Sequence, residues 1–283
     1  MATGLSLQEI SKVLCKSTTE QELQENLRLL GEKYLKRYLT MKEYRAQIRN
    51  GIQKLPLCII IAGLPGTGKT SLAKELSAAL DIGVVIGGDA LRSSFRCILP
   101  NEQNKVFFTS VYNTWKFYGE FTEQNLLQGY KEQSKIMNHA IQRMVADRGI
   151  RDGENILVEY LHFLPEHFDK EILLHPSFIP IILRINDIEI YTKRLKSRTY
   201  YSHLQSSGER LLEQKEKYLL LQKYQCKEAN KYNLKIIDVD DFKIGLDLAF
   251  DFIFERIEKI IEIKEYNKSI EYIEKIKSER KST

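Results

Sequence analysis

Apolar positions along the chain fall into two kinds of run. Five short runs, at 57–62, 82–88, 155–159, 178–185 and 234–239, are rich in Ile, Val and Leu, as expected of strands buried on both faces of a sheet. Between them apolar residues recur every three or four positions, the spacing of a helix packed along one stripe. Leu72, Leu76 and Leu80 follow the first run, and Leu126, Ile136, Ala140, Ile141 and Met144 mark a long helix over 123–148. Two more helices are predicted over 209–232 and 242–263. The stretch 97–130 reads as a loop followed by aromatic residues. Strands alternating with helices predict an α/β fold with a five-stranded parallel sheet and helices on both faces.

Ahead of the first strand the chain reads as helix from 6 to 53. Leu7, Ile10, Val13 and Leu14 form one stripe, and Leu23, Leu27, Leu30, Tyr34 and Leu35 form another. Thr18 or Thr19 before Glu20 marks a helix start between them. The last twenty residues alternate Lys and Glu on a weakly apolar helix. The expected organisation is therefore a helical N-terminal extension (1–54), an α/β domain (55–263) with a helical lid at about 187–232, and a helical C-terminal tail (264–283).

Composition narrows the partners. The 43 Lys and Arg are interspersed with 38 Asp and Glu, for a net charge of +5. That balance suits an anionic ligand and lacks the long basic track of a nucleic-acid binder. Cys15, Cys58, Cys97 and Cys226 show no C-x-x-C spacing and read as reduced thiols of a cytoplasmic protein. No window is long and apolar enough for a membrane partner. The helical extensions offer surfaces for packing on the core or for homo-oligomerisation.

The chemistry begins at Gly63-Leu64-Pro65-Gly66-Thr67-Gly68-Lys69-Thr70, a full match to the Walker A pattern between a predicted strand and a predicted helix. Its glycines let successive backbone N–H groups, with those up to Ser71 at the helix start, surround phosphate oxygens. Lys69 adds a charge for the β- and γ-phosphates, and Thr70 a hydroxyl for Mg²⁺. Asp89 closes the second strand, where it would serve either as a catalytic carboxylate or as a helix N-cap. Arg92 and Arg96 follow at helical spacing. Glu159 ends the third strand as a second metal-binding or nucleophile-orienting acid, and His162 follows it. Among the aromatics of 107–121, which could line a pocket or simply pack, stand Ser110, Tyr112 and Lys116. After the fourth strand Arg194 and Arg198 share a helix face, from which they would close over a transferring phosphoryl group.

Together these residues predict a kinase of a small hydroxyl compound. Asp89 would take the hydroxyl proton while Lys69 and Mg²⁺ hold the phosphates in line. ATP is the expected donor because the guanine-reading N-K-x-D is missing. Alternative readings are a polynucleotide 5′-hydroxyl kinase, which shares Asp-x-x-Arg after a P-loop, and a non-enzymatic ATP-binding switch.

Four segments resemble the archaeal 2-phosphoglycerate kinase family in order and spacing: 63–70, Val85-Ile-Gly-Gly-Asp89-Ala-Leu-Arg92, Ser110-Val-Tyr-Asn-Thr-Trp-Lys116 and Val158-Glu-Tyr-Leu-His-Phe-Leu-Pro165. The resemblance spans roughly residues 55–260. It implies a P-loop kinase fold and transfer from ATP to the free hydroxyl of 2-phosphoglycerate, giving 2,3-bisphosphoglycerate. The chain departs from the family pattern at the second strand, Gly-Gly-Asp for Gly-Thr-Asp, and after the third, Glu-Tyr-Leu-His for Glu-Gly-x-His. Both departures are expected to touch the acceptor pocket.

Overall fold

The computed structural model describes residues 3–201 and 208–263. The predicted tail at 264–283 and residues 202–207 of the predicted lid lie outside the described residues. The chain runs through α1 (Leu7–Cys15), α2 (Glu20–Leu30), α3 (Glu32–Arg49), β1 (Cys58–Gly63), α4 (Lys69–Leu80), β2 (Val84–Gly87), α5 (Gly88–Ile98) and α6 (Lys105–Phe108). A 3₁₀ segment, Val111–Phe117, precedes α7 (Glu123–Met144), which continues into a π-helical turn, Val145–Arg151. Then follow β3 (Ile156–Tyr160), α8 (Lys170–Leu173), β4 (Phe178–Arg184), α9 (Ile188–Tyr201), α10 (Gly208–Glu213), α11 (Lys215–Lys231), β5 (Lys235–Asp238) and α12 (Phe242–Glu262).

All four strand pairings are parallel, and the order is β2-β3-β1-β4-β5. The five strands are those expected from the apolar runs. β1 shows why helices cover both faces. Ile59 and Ile61 point into a core shared with Leu72, Leu76 and Phe254, while Cys58, Ile60 and Ala62 point to Met137, Ile141 and Phe178. Side chains alternate across a strand, so a strand with no polar position must be packed from both sides.

At the N-terminus Thr19 caps α2, its side chain accepting from Glu22 N–H while Glu22 reaches back, a reciprocal capping box. The predicted stripes are only partly buried: Val13, Leu27 and Leu35 form a small core, whereas Leu14 and Leu30 face outward. The stronger tie to the domain is polar. Arg37, 2% exposed, donates to the Thr3 carbonyl and to the carboxylates of Asp247 (2.6 Å) and Asp251 (2.7 Å) on α12, beneath the ring of Phe250.

The segment 97–121 is more ordered than its loop-like sequence implies. Carbonyls at 106–109 are gathered by side chains from α5 and α7, which folds the segment into short helical pieces. Long-range polar contacts of this kind leave no local periodic signal.

Candidate active site

The loop after β1 is shaped by glycines in left-handed backbone. Gly66 has φ +85°, and a Cβ there would lie 3.1 Å from Leu195 of α9; Gly68 has φ +91°, and a Cβ would overlap the Phe242 ring at 2.5 Å. No other residue type satisfies both conformation and space. Gly68 is also the N-cap of α4 and offers no side chain to cap it, so the first N–H groups of the helix remain available to an anion. Thr67 Oγ1 donates to the Leu64 carbonyl (2.9 Å), and Lys69 Nζ donates to the same oxygen (2.8 Å). Pro65 and Lys69 are half-buried on the loop, while Thr70 and Ser71 are exposed at the helix start.

Parallel register brings the acid of β3 to this loop. Glu159 lies opposite Ile61 on one side and Gly87 on the other. Its Oε1 accepts from Thr70 Oγ1 at 3.3 Å. A hydroxyl and a carboxylate thus meet beside the phosphate cradle, beyond the carboxyl ends of the strands.

α5 begins at Gly88 with Gly87 as its N-cap, so Asp89 is not the capping residue. It stands exposed in the first turn, close enough to Arg92 and Arg96 to favour their charged forms. Arg92 is held mainly by burial at about 10, with repulsion from Arg96 adding to the effect. Both guanidinium groups fasten the 107–109 segment: Arg92 donates to the carbonyls of Phe107 (2.8 Å) and Thr109, Arg96 to Phe107 (3.2 Å) and Phe108 (2.8 Å). Arg92 Nε is buried with no acceptor among the described residues.

Of the residues downstream, Tyr112 is buried with its ring edge-on to Tyr218 at 5.8 Å; Ser110 is half-buried and Lys116 exposed. His162 is 3% exposed, stacked on Tyr130, its Nε2 paired with Gln133 Oε1 at 3.1 Å. Burial, then the charges of Arg92, Arg96 and Lys69, push its pKa well below the usual histidine range. His162 thus stands as a hydrogen-bonded ring beneath the cationic residues. Arg194 donates to the carbonyls of Val239 (2.5 Å) and Asp240 (2.9 Å), with Nη1 buried and lacking an acceptor among the described residues. It braces the turn between β5 and α12, whose Phe242 abuts Gly68. The Arg198 side chain lies outside the described residues.

Several contributors escape sequence reasoning. Gln133, fully buried, joins His162 to the carbonyls of Val106 (2.6 Å) and Thr109 (2.8 Å). The signal for it was a polar residue on the buried stripe of α7, beside Tyr130 and Met137. Tyr218 and Phe242 carry no local signal at all.

The two departures at β2 and β3 are one packing exchange. A Cβ on Gly88 would lie 2.2 Å from the Cβ of Tyr160, and Tyr160 is 1% exposed in the core with its hydroxyl donating to Asn138 (2.8 Å). The space of the pattern's Thr is filled here from the neighbouring strand. The exchange lies in the core, beside the strand that carries Glu159.

A parallel sheet with a glycine-rich phosphate cradle after β1 and acids at the ends of β2 and β3 defines a P-loop kinase, a phosphotransferase that uses ATP. Residues 59–217 match the AAA domain family (AAA_18). The mevalonate-3-phosphate 5-kinase of Thermoplasma acidophilum is 32% identical over 193 residues, covering 68% of this chain and 93% of that one. A 2-phosphoglycerate kinase of Methanopyrus kandleri is 27% identical over 205 residues, 72% of this chain and 62% of that one. Among solved structures, the shikimate kinase of Bacteroides thetaiotaomicron aligns at 16% identity with a TM-score of 0.39, over 71% of this chain and 98% of that one. The chain belongs to the P-loop kinase family that includes the archaeal 2-phosphoglycerate kinases and mevalonate-3-phosphate 5-kinase.

Proposed function

We propose that the protein transfers the γ-phosphoryl group of ATP to a free hydroxyl of a phosphorylated hydroxy acid, with 2-phosphoglycerate as first candidate and 2,3-bisphosphoglycerate as its product. The observation that carries this reading is the convergence of Lys69, the Thr70–Glu159 pair and Asp89 with its two arginines at one end of the sheet. Gly63–Ser71 would hold the triphosphate through backbone N–H groups and Lys69. Asp89 would take the acceptor's hydroxyl proton as that oxygen bonds to the γ-phosphorus and the bond to the β,γ-bridging oxygen breaks, releasing ADP. Arg92 and Arg96, with Ser110, Tyr112 and Lys116 beyond them, would receive the acceptor's negative charge. Arg194 and Arg198, on the lid proposed for 187–232, would neutralise the transferring group.

The Thr70 hydroxyl and Glu159 carboxylate are hard oxygen ligands suited to Mg²⁺, which keeps most of its positions for water and phosphate. When bound there it would offset charge on the β- and γ-phosphates. Such a reaction belongs where ATP is made and used, the cytoplasm. Among the described residues no helix is long and apolar enough to cross a membrane.

A second acceptor, mevalonate 3-phosphate, is favoured by the 32% identity to a kinase named for it. ADP release with ATP and Mg²⁺ should be measured for both acids and for a 5′-hydroxyl oligonucleotide. Turnover with the oligonucleotide alone would overturn the acid reading, and turnover with only one of the acids fixes the acceptor.

A further inference from the structure

We propose that Lys116 and Lys217 form, against Trp115, a two-ammonium subsite that takes the phosphate already carried by the acceptor; this rests on the phosphorylated acid proposed above. The two lysines come from distant parts of the chain, the end of the 3₁₀ segment and the first turn of α11. Their Nζ atoms lie 5.7 and 5.6 Å from the centre of the same indole ring, and Lys217 Nζ is also 5.3 Å from the ring of Phe121.

A cation over an aromatic face is common and would explain either lysine singly. It does not explain the pair. Like charges sharing one ring repel, and long lysine stems ordinarily diverge into water. Among the described residues neither ammonium has a carboxylate within 4.0 Å; Lys217 makes one hydrogen bond, to Gln214 Oε1 at 2.8 Å, which leaves two of its three protons for a ligand. Burial, and then the charge of Lys116, already lower the Lys217 pKa. A dianion between the two would relieve that repulsion.

Two further observations point the same way. The indole Nε1–H of Trp115 is buried with no acceptor among the described residues, a need that a phosphate oxygen held at this ring would meet. The neighbour of Lys217, Tyr218, packs edge-on to Tyr112 and lies within electrostatic reach of Arg92. Lys217 is thus next in the chain to a ring that packs on Tyr112, one of the residues given above to the acceptor. On this proposal the anchored acceptor presents its hydroxyl end to Asp89.

Trp115 is the single tryptophan of the chain, so its fluorescence reports the subsite directly. Titration of the full-length protein with inorganic phosphate should change the emission saturably, whereas potassium chloride at matched ionic strength should not. Lys116→Met and Lys217→Met should weaken that response at least about tenfold, the loss of one charged hydrogen bond, and Lys217→Arg should restore it. In turnover assays Lys217→Met should raise the KM for the phosphorylated acceptor by a similar factor and leave the KM for ATP unchanged. A phosphate response that chloride reproduces, or that persists in Lys217→Met, would overturn the subsite. So would a wild-type acceptor KM in that variant. A saturable, lysine-dependent response in a protein that phosphorylates no phosphorylated acid would instead overturn the acceptor reading and leave the anion site standing.

Discussion

The two sides of the site are made by different means. On the P-loop side the reactive geometry is almost all backbone: positive-φ glycines, an uncapped helix start and a lysine folded back on its own loop, within residues 63–71. On the Arg92 side it is side chains from α5, α7, the 3₁₀ segment and α11, holding one another in place across the fold. The first arrangement is set mostly by neighbours in the chain, with Leu195 and Phe242 fitted against its glycines. The second gives specificity, because each member depends on distant partners.

The largest effect should come where the sides meet. Asp89→Asn keeps the shape of the site but removes the proposed proton acceptor, so kcat should fall by about 10²–10⁴ with ATP affinity retained. Near-normal turnover would mean that the Arg92 side supplies no base. Gly88→Thr tests the exchange with Tyr160. Alone it drives a side chain into the neighbouring strand and should destabilise by at least about 1–3 kcal/mol, seen as a lower denaturation midpoint. Combined with Tyr160→Gly, the two changes should cost less than their sum, the mark of residues in contact. Strict additivity would refute the exchange.

Gln133→Leu strips a partner from His162 and one donor from each of the Val106 and Thr109 carbonyls. It should cost about 1–3 kcal/mol of stability and raise the acceptor KM while sparing that of ATP. An equal effect on both constants would erase the distinction between the two sides.

A further effect, on stability alone and not on the two sides of the site, is one of pH. Buried His162 and His175 both hold pKa values below the ordinary 6.5, His175 at about 4. As pH falls below about 6.5 the unfolded chain takes up protons that the folded chain refuses. Stability should therefore be full above that point and decline by about 1.4 kcal/mol per pH unit for each histidine on the way down. Melting temperatures between pH 7 and 5 should show this, with a shallower slope in His175→Asn; an unchanged slope would mean that His175 is protonated in the folded state.

The same contrast explains what could be read in the sequence. The five strands, the Thr19 cap and the phosphate loop were legible because each is set by neighbours in the chain. Asp89 and Glu159 were legible because strand ends fall at predictable places in a parallel sheet. The Phe242 ring over Gly68, the burial of His162 and the meeting of Lys116 with Lys217 were not, since nothing within ten residues of any of them records the partner. Arg194 shows the limit from the other direction: the i, i+4 pairing with Arg198 was visible, but the carbonyls that Arg194 reaches belong to a turn after β5.

Arg37 has a consequence for dissecting the molecule. Cutting before β1 would take away Arg37, the only group shown neutralising Asp251, and with it Lys33, so that both groups neutralising Asp247 among the described residues are lost. It would also bare the Phe250 face of α12, the helix whose first residue rests on the phosphate loop. A shortened protein should therefore be sticky in solution and slack around its nucleotide, so that a fault in its handling of ATP could be mistaken for proof that the N-terminal helices take part in catalysis.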